Sequence, residues 1–136
     1  MIQYLSLADF LIIAEAVLGI PAEDLYRTCD IGVADSALKA PAASFGDFEG
    51  YPTMAQKAAV LTYRPSRNHP LLDGNKRVAY LALREFVALN GYSWTAPEGD
   101  DPHGDETVKV MWDVAAGHLT EKELTDWVAE RIGEAT

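Results

Sequence analysis

Residues 68–77, NHPLLDGNKR, run without a break into VAYLALREFVALNG at 78–91. The first segment gathers a histidine, an aspartate, an asparagine, a lysine and an arginine around one glycine, yet also carries Pro70, Leu71 and Leu72. The second puts Val78, Leu81, Ala82, Phe86 and Leu89 on one face at helical spacing and stops at Asn90-Gly91, a common helix end. A polar loop opening directly into a helix is a place to bind something. The first helical turn leaves backbone N–H groups without partners and carries a partial positive charge.

Read as chemistry, Gly74, Asn75 and Lys76 at such a turn form a nest for an anion, Gly74 allowing close approach, and phosphate is the obvious anion. Lys76 adds a point charge and Arg77 a forked donor. Asp73 would repel the anion unless a cation lay between them, and Mg²⁺ fits that gap. His69 is the group in this cluster that titrates nearest neutrality, so it is suited to take a proton from an attacking hydroxyl. The set supplies a base, a metal ligand and an anion cradle. It is not a P-loop, because His69 stands where a Walker A motif requires its first glycine.

The composition restricts the partners. A chain of 136 residues is about one domain, 1–136, able to bury roughly two-thirds of its unfolded surface. Its formal charge of -10 opposes nonspecific attraction to nucleic acid or anionic lipid, so a phosphate site has to be a local basic pocket. Cys29 stands without another cysteine to pair with and reads as a small core residue. The opening MIQYLSLADFLIIAEAVLGIP has neither a basic leader nor a cleavage-site pattern. Its apolar run is interrupted by Glu15 and falls short of the roughly 20 residues of a membrane span. The expectation is a cytoplasmic protein without membrane or direct nucleic-acid contact.

Helical periodicity extends over most of the chain, and neither a repeat nor a low-complexity linker interrupts it. Ser6 with Asp9 resembles a capping box, after which Leu7, Phe10, Leu11, Ala14, Val17 and Leu18 recur at helical spacing up to Gly19 and Pro21. Short helices follow from Pro21 to about Arg27 and from Asp35 to about Lys39. APAASFGDFEGYP, residues 40–52, breaks the pattern as a loop or short hairpin. Thr53 with Gln56 opens a helix expected to end near Pro65. After the motif helix, 96–106 reads as a loop, and Asp105–Ala116 and Thr120–Ile132 complete an all-α domain of about six helices, the last opened by Thr120 with Glu123.

HPLLDGNKR resembles the core motif of the Fic/Doc superfamily. Lys76, at the position where AMP-transferring Fic enzymes have glycine, is similar to the Doc toxin branch. GYPTMAQKAAVL, LNGY and VAAGHLTEKELTDWV extend the resemblance over nearly the whole chain. It implies a small helical bundle with a flap before the motif helix pair, and ATP with Mg²⁺ as cosubstrate for modifying a protein hydroxyl. Carried over residue by residue, it makes His69 the general base, Asp73 the metal ligand, Gly74 and Asn75 the anion hole, and Lys76 and Arg77 the phosphate binders. It also makes Phe45, Gly46, Phe48 and Tyr51 a flap that clamps the target by strand addition. Plain core closure is the other reading of those aromatics. Two positions depart from the pattern: Leu71 replaces a phenylalanine as core anchor, and Tyr80 stands where AMP-transferring relatives have a second arginine.

The activity implied is that of a Doc-like toxin kinase acting on a Ser or Thr of a translation factor, with elongation factor Tu as suggested target. AMP transfer and a non-catalytic binding module are the alternatives. The autoinhibitory Ser/Thr-x-x-x-Glu-Gly/Asn segment of some relatives has no match, since Glu49-Gly50 and Glu98-Gly99 are preceded by Phe45 and Trp94. Restraint would therefore come from a Phd-like antitoxin, with the N-terminal helix, the 40–52 loop and the surroundings of Tyr80 and Arg84 as candidate grooves. Outside the motif, His103 and Asp105 are too few for a metal site. His118 reads as structural, and Trp94, Trp112 and Trp127 as core or rim packing.

Overall fold

The computed structural model describes residues 1–100 and 105–134. Its helices are α1 (Leu7–Leu18), α2 (Ala22–Thr28), α3 (Ile31–Lys39), α4 (Met54–Asn68), α5 (Asn75–Leu89), α6 (Asp105–Ala116) and α7 (Glu121–Arg131). A single 3-10 turn, Ala40–Ala42, follows α3. The hairpin β1 (Ser44–Phe45) and β2 (Phe48–Glu49) precedes α4, and β3 (Tyr92–Trp94) pairs antiparallel with β4 (Ile132–Glu134). The architecture is all-α as expected, with seven helices among the described residues instead of about six.

Local chemistry sets the helix starts. Ser6, Thr53 and Thr120 each accept, through the side-chain oxygen, the N–H of the residue three positions on, at 3.1 Å in every case. Asp9, Gln56 and Glu123 return the bond to the cap N–H groups, so all three capping boxes foreseen are formed. Gly19 ends α1 in the left-handed conformation, φ 69°. The third helix begins four residues before its expected start at Asp35, because Asp30 supplies the cap by accepting Val33 N–H at 3.1 Å.

α4 is the central helix. Ala58, Ala59, Val60, Leu61 and Thr62 are buried along it, and α3, α5, α6 and α7 pack around it. The alanines let the neighbouring backbones approach. α5 answers with Val78, Ala79, Ala82, Leu83, Phe86 and Val87, and truncating Phe86 to alanine would cost about 3–5 kcal/mol. The expected face was Val78, Leu81, Ala82, Phe86 and Leu89, but Leu81 and Leu89 are exposed. The helix is apolar on two sides, and periodicity does not say which one meets α4.

Two further expectations need correction. α4 continues through Pro65 to Asn68. Proline removes one ladder bond near the end of the helix, and burial of Pro65 and Ser66 holds the last turn, which His69 N–H closes onto Pro65 C=O at 3.0 Å. The last helix ends at Arg131, one residue early, because Ile132 belongs to β4 and pairs with Trp94. Three-residue strands are too short to carry a period.

Before α4, Gly46 takes the first turn position of the β1–β2 hairpin with φ 60°, as a type II′ turn requires. Lys57, only 4% exposed, ties the two ends of this segment to α4: its Nζ donates to Tyr51 C=O at 2.6 Å and to Pro41 C=O at 3.3 Å. Cys29 lies in the core as expected, and burial, with a smaller contribution from Asp30, pushes its thiol pKa up. Among the described residues, no helix is long and apolar enough to cross a membrane.

Candidate active site

The loop between α4 and α5 is held from several sides. Pro70 C=O accepts Asp30 N–H at 2.7 Å, fastening it to the start of α3, and Leu71 is buried as the expected core anchor. The Asn75 side chain closes the loop on itself, its Oδ1 accepting Leu71 N–H at 2.9 Å and its Nδ2 donating to Leu71 C=O at 2.9 Å. With this side chain buried and committed to Leu71, any contact of Asn75 with an anion falls to its backbone N–H. Gly74 is needed twice over. Its φ is 79°, and a Cβ there would overlap Leu18 Cδ2.

These constraints aim the remaining groups. His69 caps α4 at φ 51°, ψ 65°, and is the one non-glycine residue with positive φ among the described residues. A side chain held in the left-handed region costs about 1 kcal/mol or more, and such strain concentrates at functional positions. His69 is exposed, as is the adjoining Leu72. Asp73 Oδ1 accepts Gly74 N–H at 2.8 Å, and its other oxygen has no partner among the described residues. Arg77 folds back toward Gly74, its Nη2 3.5 Å from where a Cβ would stand.

The first turn of α5 differs from the other well-formed helix starts. α1, α3, α4 and α7 each close theirs with a side-chain oxygen; α5 has a glycine cap and, like the short α2, no side-chain cap bond. It carries Lys76 and Arg77 there instead, against the helix dipole. Open N–H groups beside two cations, in a strongly acidic chain, supply the chemistry that an oxyanion site needs. Lys76 lies with Nζ 4.5 Å from the centroid of the Trp112 ring on α6.

A family model described as the Fic/DOC family matches residues 4–87. The chain belongs to that family. It is also 34% identical over 96 residues to Toxin Doc of Mycolicibacterium smegmatis, a match covering 71% of each chain, which places it with the Doc branch. The Fic/DOC match ends within α5, so it contains α1 to α4, the hairpin and the motif loop but neither α6 nor Trp112.

The flap residues divide. Phe45 and Phe48 are 78% and 69% exposed and stand opposite each other in the hairpin, so they do not close the core. Gly46 makes the turn between them. Tyr51 lies beyond the strands, and its carbonyl holds Lys57. The expectation of packing tryptophans holds for Trp94 and Trp127, which meet edge to face at 5.6 Å. Trp112 is 60% exposed and reaches the site. Sequence reasoning missed it there, because nothing in its neighbourhood marks a motif. His118 is exposed at the turn before Thr120, and His103 lies outside the described residues.

Proposed function

We propose that this Fic/DOC protein is a Doc-type toxin that transfers the γ-phosphoryl group of ATP to a Ser or Thr hydroxyl of a protein, with a translation factor, elongation factor Tu, as the suggested target. The observation that carries the reading is the uncapped, doubly basic start of α5, with Lys76 immediately after Asn75. An ammonium there occupies room that a glycine would leave for a phosphate in AMP transfer.

The residues fit ATP with a divalent ion. Mg²⁺ needs one or two carboxylates when substrate phosphates supply other oxygens, and Asp73 offers one exposed carboxylate beside the anion cradle. Among the described residues no three-ligand protein cluster competes with it. Bound there, Mg²⁺ would supply electrostatic relief for the phosphate charge. His69 would take the proton of the attacking hydroxyl as its oxygen forms the new bond to the γ-phosphorus. As the bond from that phosphorus to the β,γ-bridging oxygen breaks, ADP leaves with the electron pair, and His69 returns its proton to solvent. Lys76, Arg77 and the first N–H groups of α5 would hold the charge spread over the transferred oxygens. Phe45 and Phe48 would seat the target segment as an added strand along the hairpin.

Restraint by a separate Phd-like antitoxin is part of the reading, supported by the likeness to Toxin Doc of Mycolicibacterium smegmatis and by the lack of a matching autoinhibitory segment. A groove of about 410 Å³ between α1 and α5, lined in part by the apolar Ile13, Val17, Leu81 and Trp94 with Arg84, would seat an amphipathic helix of the antitoxin. The test is a parallel incubation of the purified protein and cell extract with γ-labelled and α-labelled ATP. Label transferred to protein only from the γ position supports phosphoryl transfer; label from the α position means AMP transfer, and none from either means a binding module.

A further inference from the structure

Trp112 is the feature near the site that the reading above does not use. The other lysines are engaged with oxygens: Lys39, Lys109 and Lys122 pair with Asp35, Asp113 and Asp126, and Lys57 is buried against two carbonyls. Lys76 has no carboxylate partner among the described residues, in a chain with 21 acidic side chains, and rests on an exposed indole face. A carboxylate in that place would fix the ammonium but neutralise it and repel an incoming phosphate. An aromatic face attracts the cation through its quadrupole and leaves the net charge intact.

The platform is anchored to the same loop. One helical turn beyond Trp112, Ala115 C=O accepts Arg67 Nη1–H at 3.0 Å, and Arg67 lies in the last turn of α4, two residues before His69. Gly117, at φ 81°, leaves room for that guanidinium, since a Cβ there would come within 3.0 Å of Arg67 Nη1. α6 is thus joined to the motif on both sides, at the end of α4 through Arg67 and at the start of α5 through Lys76.

We infer that Trp112 is a positioning residue for the phosphate site, holding the Lys76 ammonium over its indole without neutralising it, so that a nucleotide phosphate meets a cation already ordered. This rests on Lys76 being a phosphate binder. Trp112 lies on α6, beyond the segment 4–87 that the family model matches, whereas Lys76 lies within it.

The test is a double-mutant cycle on the full chain, read as the dissociation constant for ATP with Mg²⁺ by calorimetry, after thermal melts establish that each variant folds. Trp112→Leu, which keeps apolar bulk and removes the π face, should weaken ATP binding about fivefold, and Trp112→Phe should recover most of that. In a Lys76→Met background, Trp112→Leu should change nothing further. In the protein without nucleotide, ring current should shift the Lys76 side-chain proton resonances upfield with Trp or Phe at position 112, and not with Leu. Equal weakening by Trp112→Leu with and without the ammonium, weakening by Trp112→Phe as large as by Trp112→Leu, or no ring-current shift overturns the clamp while leaving Lys76 in the site. Unchanged ATP affinity in Lys76→Met alone overturns the phosphate assignment, and the clamp with it.

Discussion

The Pro70–Gly74 loop and the Ser44–Glu49 hairpin flank the same central helix, the loop after its C-terminus and the hairpin before its N-terminus. In the loop, Pro70 is bound to Asp30, Leu71 is buried and doubly bonded to the Asn75 amide, and Gly74 lies against Leu18. In the hairpin every residue from 44 to 49 is exposed, and a Cβ on Gly46 would meet open space. Only its ends are tied, through Lys57. The difference matches the two tasks proposed for them. Groups that share a reacting centre must be held to about 0.5 Å by their surroundings. A strand edge that accepts a partner chain needs only its backbone direction and a pair of apolar side chains.

The comparison breaks most visibly at His69. Replacing it with alanine should lower transfer about 10²- to 10⁴-fold without lowering the melting temperature, because the side chain is exposed. Transfer within a few-fold of the parent would remove the base from the loop's account. At the two turn glycines the contrast is energetic. Gly74→Ala should cost about 2–4 kcal/mol in denaturant titrations, from left-handed strain plus overlap with Leu18, whereas Gly46→Ala should cost only the strain, about 1–2 kcal/mol. Equal costs would mean that the loop yields as easily as the hairpin.

Asn75→Ala should destabilise by about 1–3 kcal/mol by stranding the Leu71 N–H and C=O, and Asn75→Asp should recover part of it through the retained acceptor. If both variants melt with the parent, the amide is not what closes the loop. The smallest stability effect is expected at the hairpin: Phe45→Ser with Phe48→Ser should move stability by no more than about 0.5 kcal/mol, as surface changes do. The same pair should lower modification of the protein target about tenfold with ATP affinity unchanged. Loss of ATP binding in that variant would show the hairpin to be part of the nucleotide site and would erase the distinction between the two regions.

Much of this was legible in the chain because it is local. Ser6 with Asp9, Thr53 with Gln56 and Thr120 with Glu123 interact across three residues, and such contacts depend little on what surrounds them. The order of residue types from His69 to Arg77 likewise announced a candidate oxyanion site at a helix start, with Gly74 allowing close approach; its left-handed φ came from the structure. What packing decided lies at longer range. The buried side of α5 was ambiguous until α4 occupied Leu83 and Val87 in place of Leu81 and Leu89. The Asn75 amide turned inward to Leu71 because the buried loop had two backbone groups to satisfy. Pro65 stayed within α4 because its burial outweighs the single ladder bond that proline removes. Trp94 met Ile132, and Lys76 met Trp112. The sequence by itself determined which groups have the chemistry an oxyanion site needs and that they open a helix. Tertiary structure decided which of those groups remain free to do so, because a side chain's partner is set by what the fold brings beside it, often 36 or more residues along the chain, as with Lys76 and Trp112.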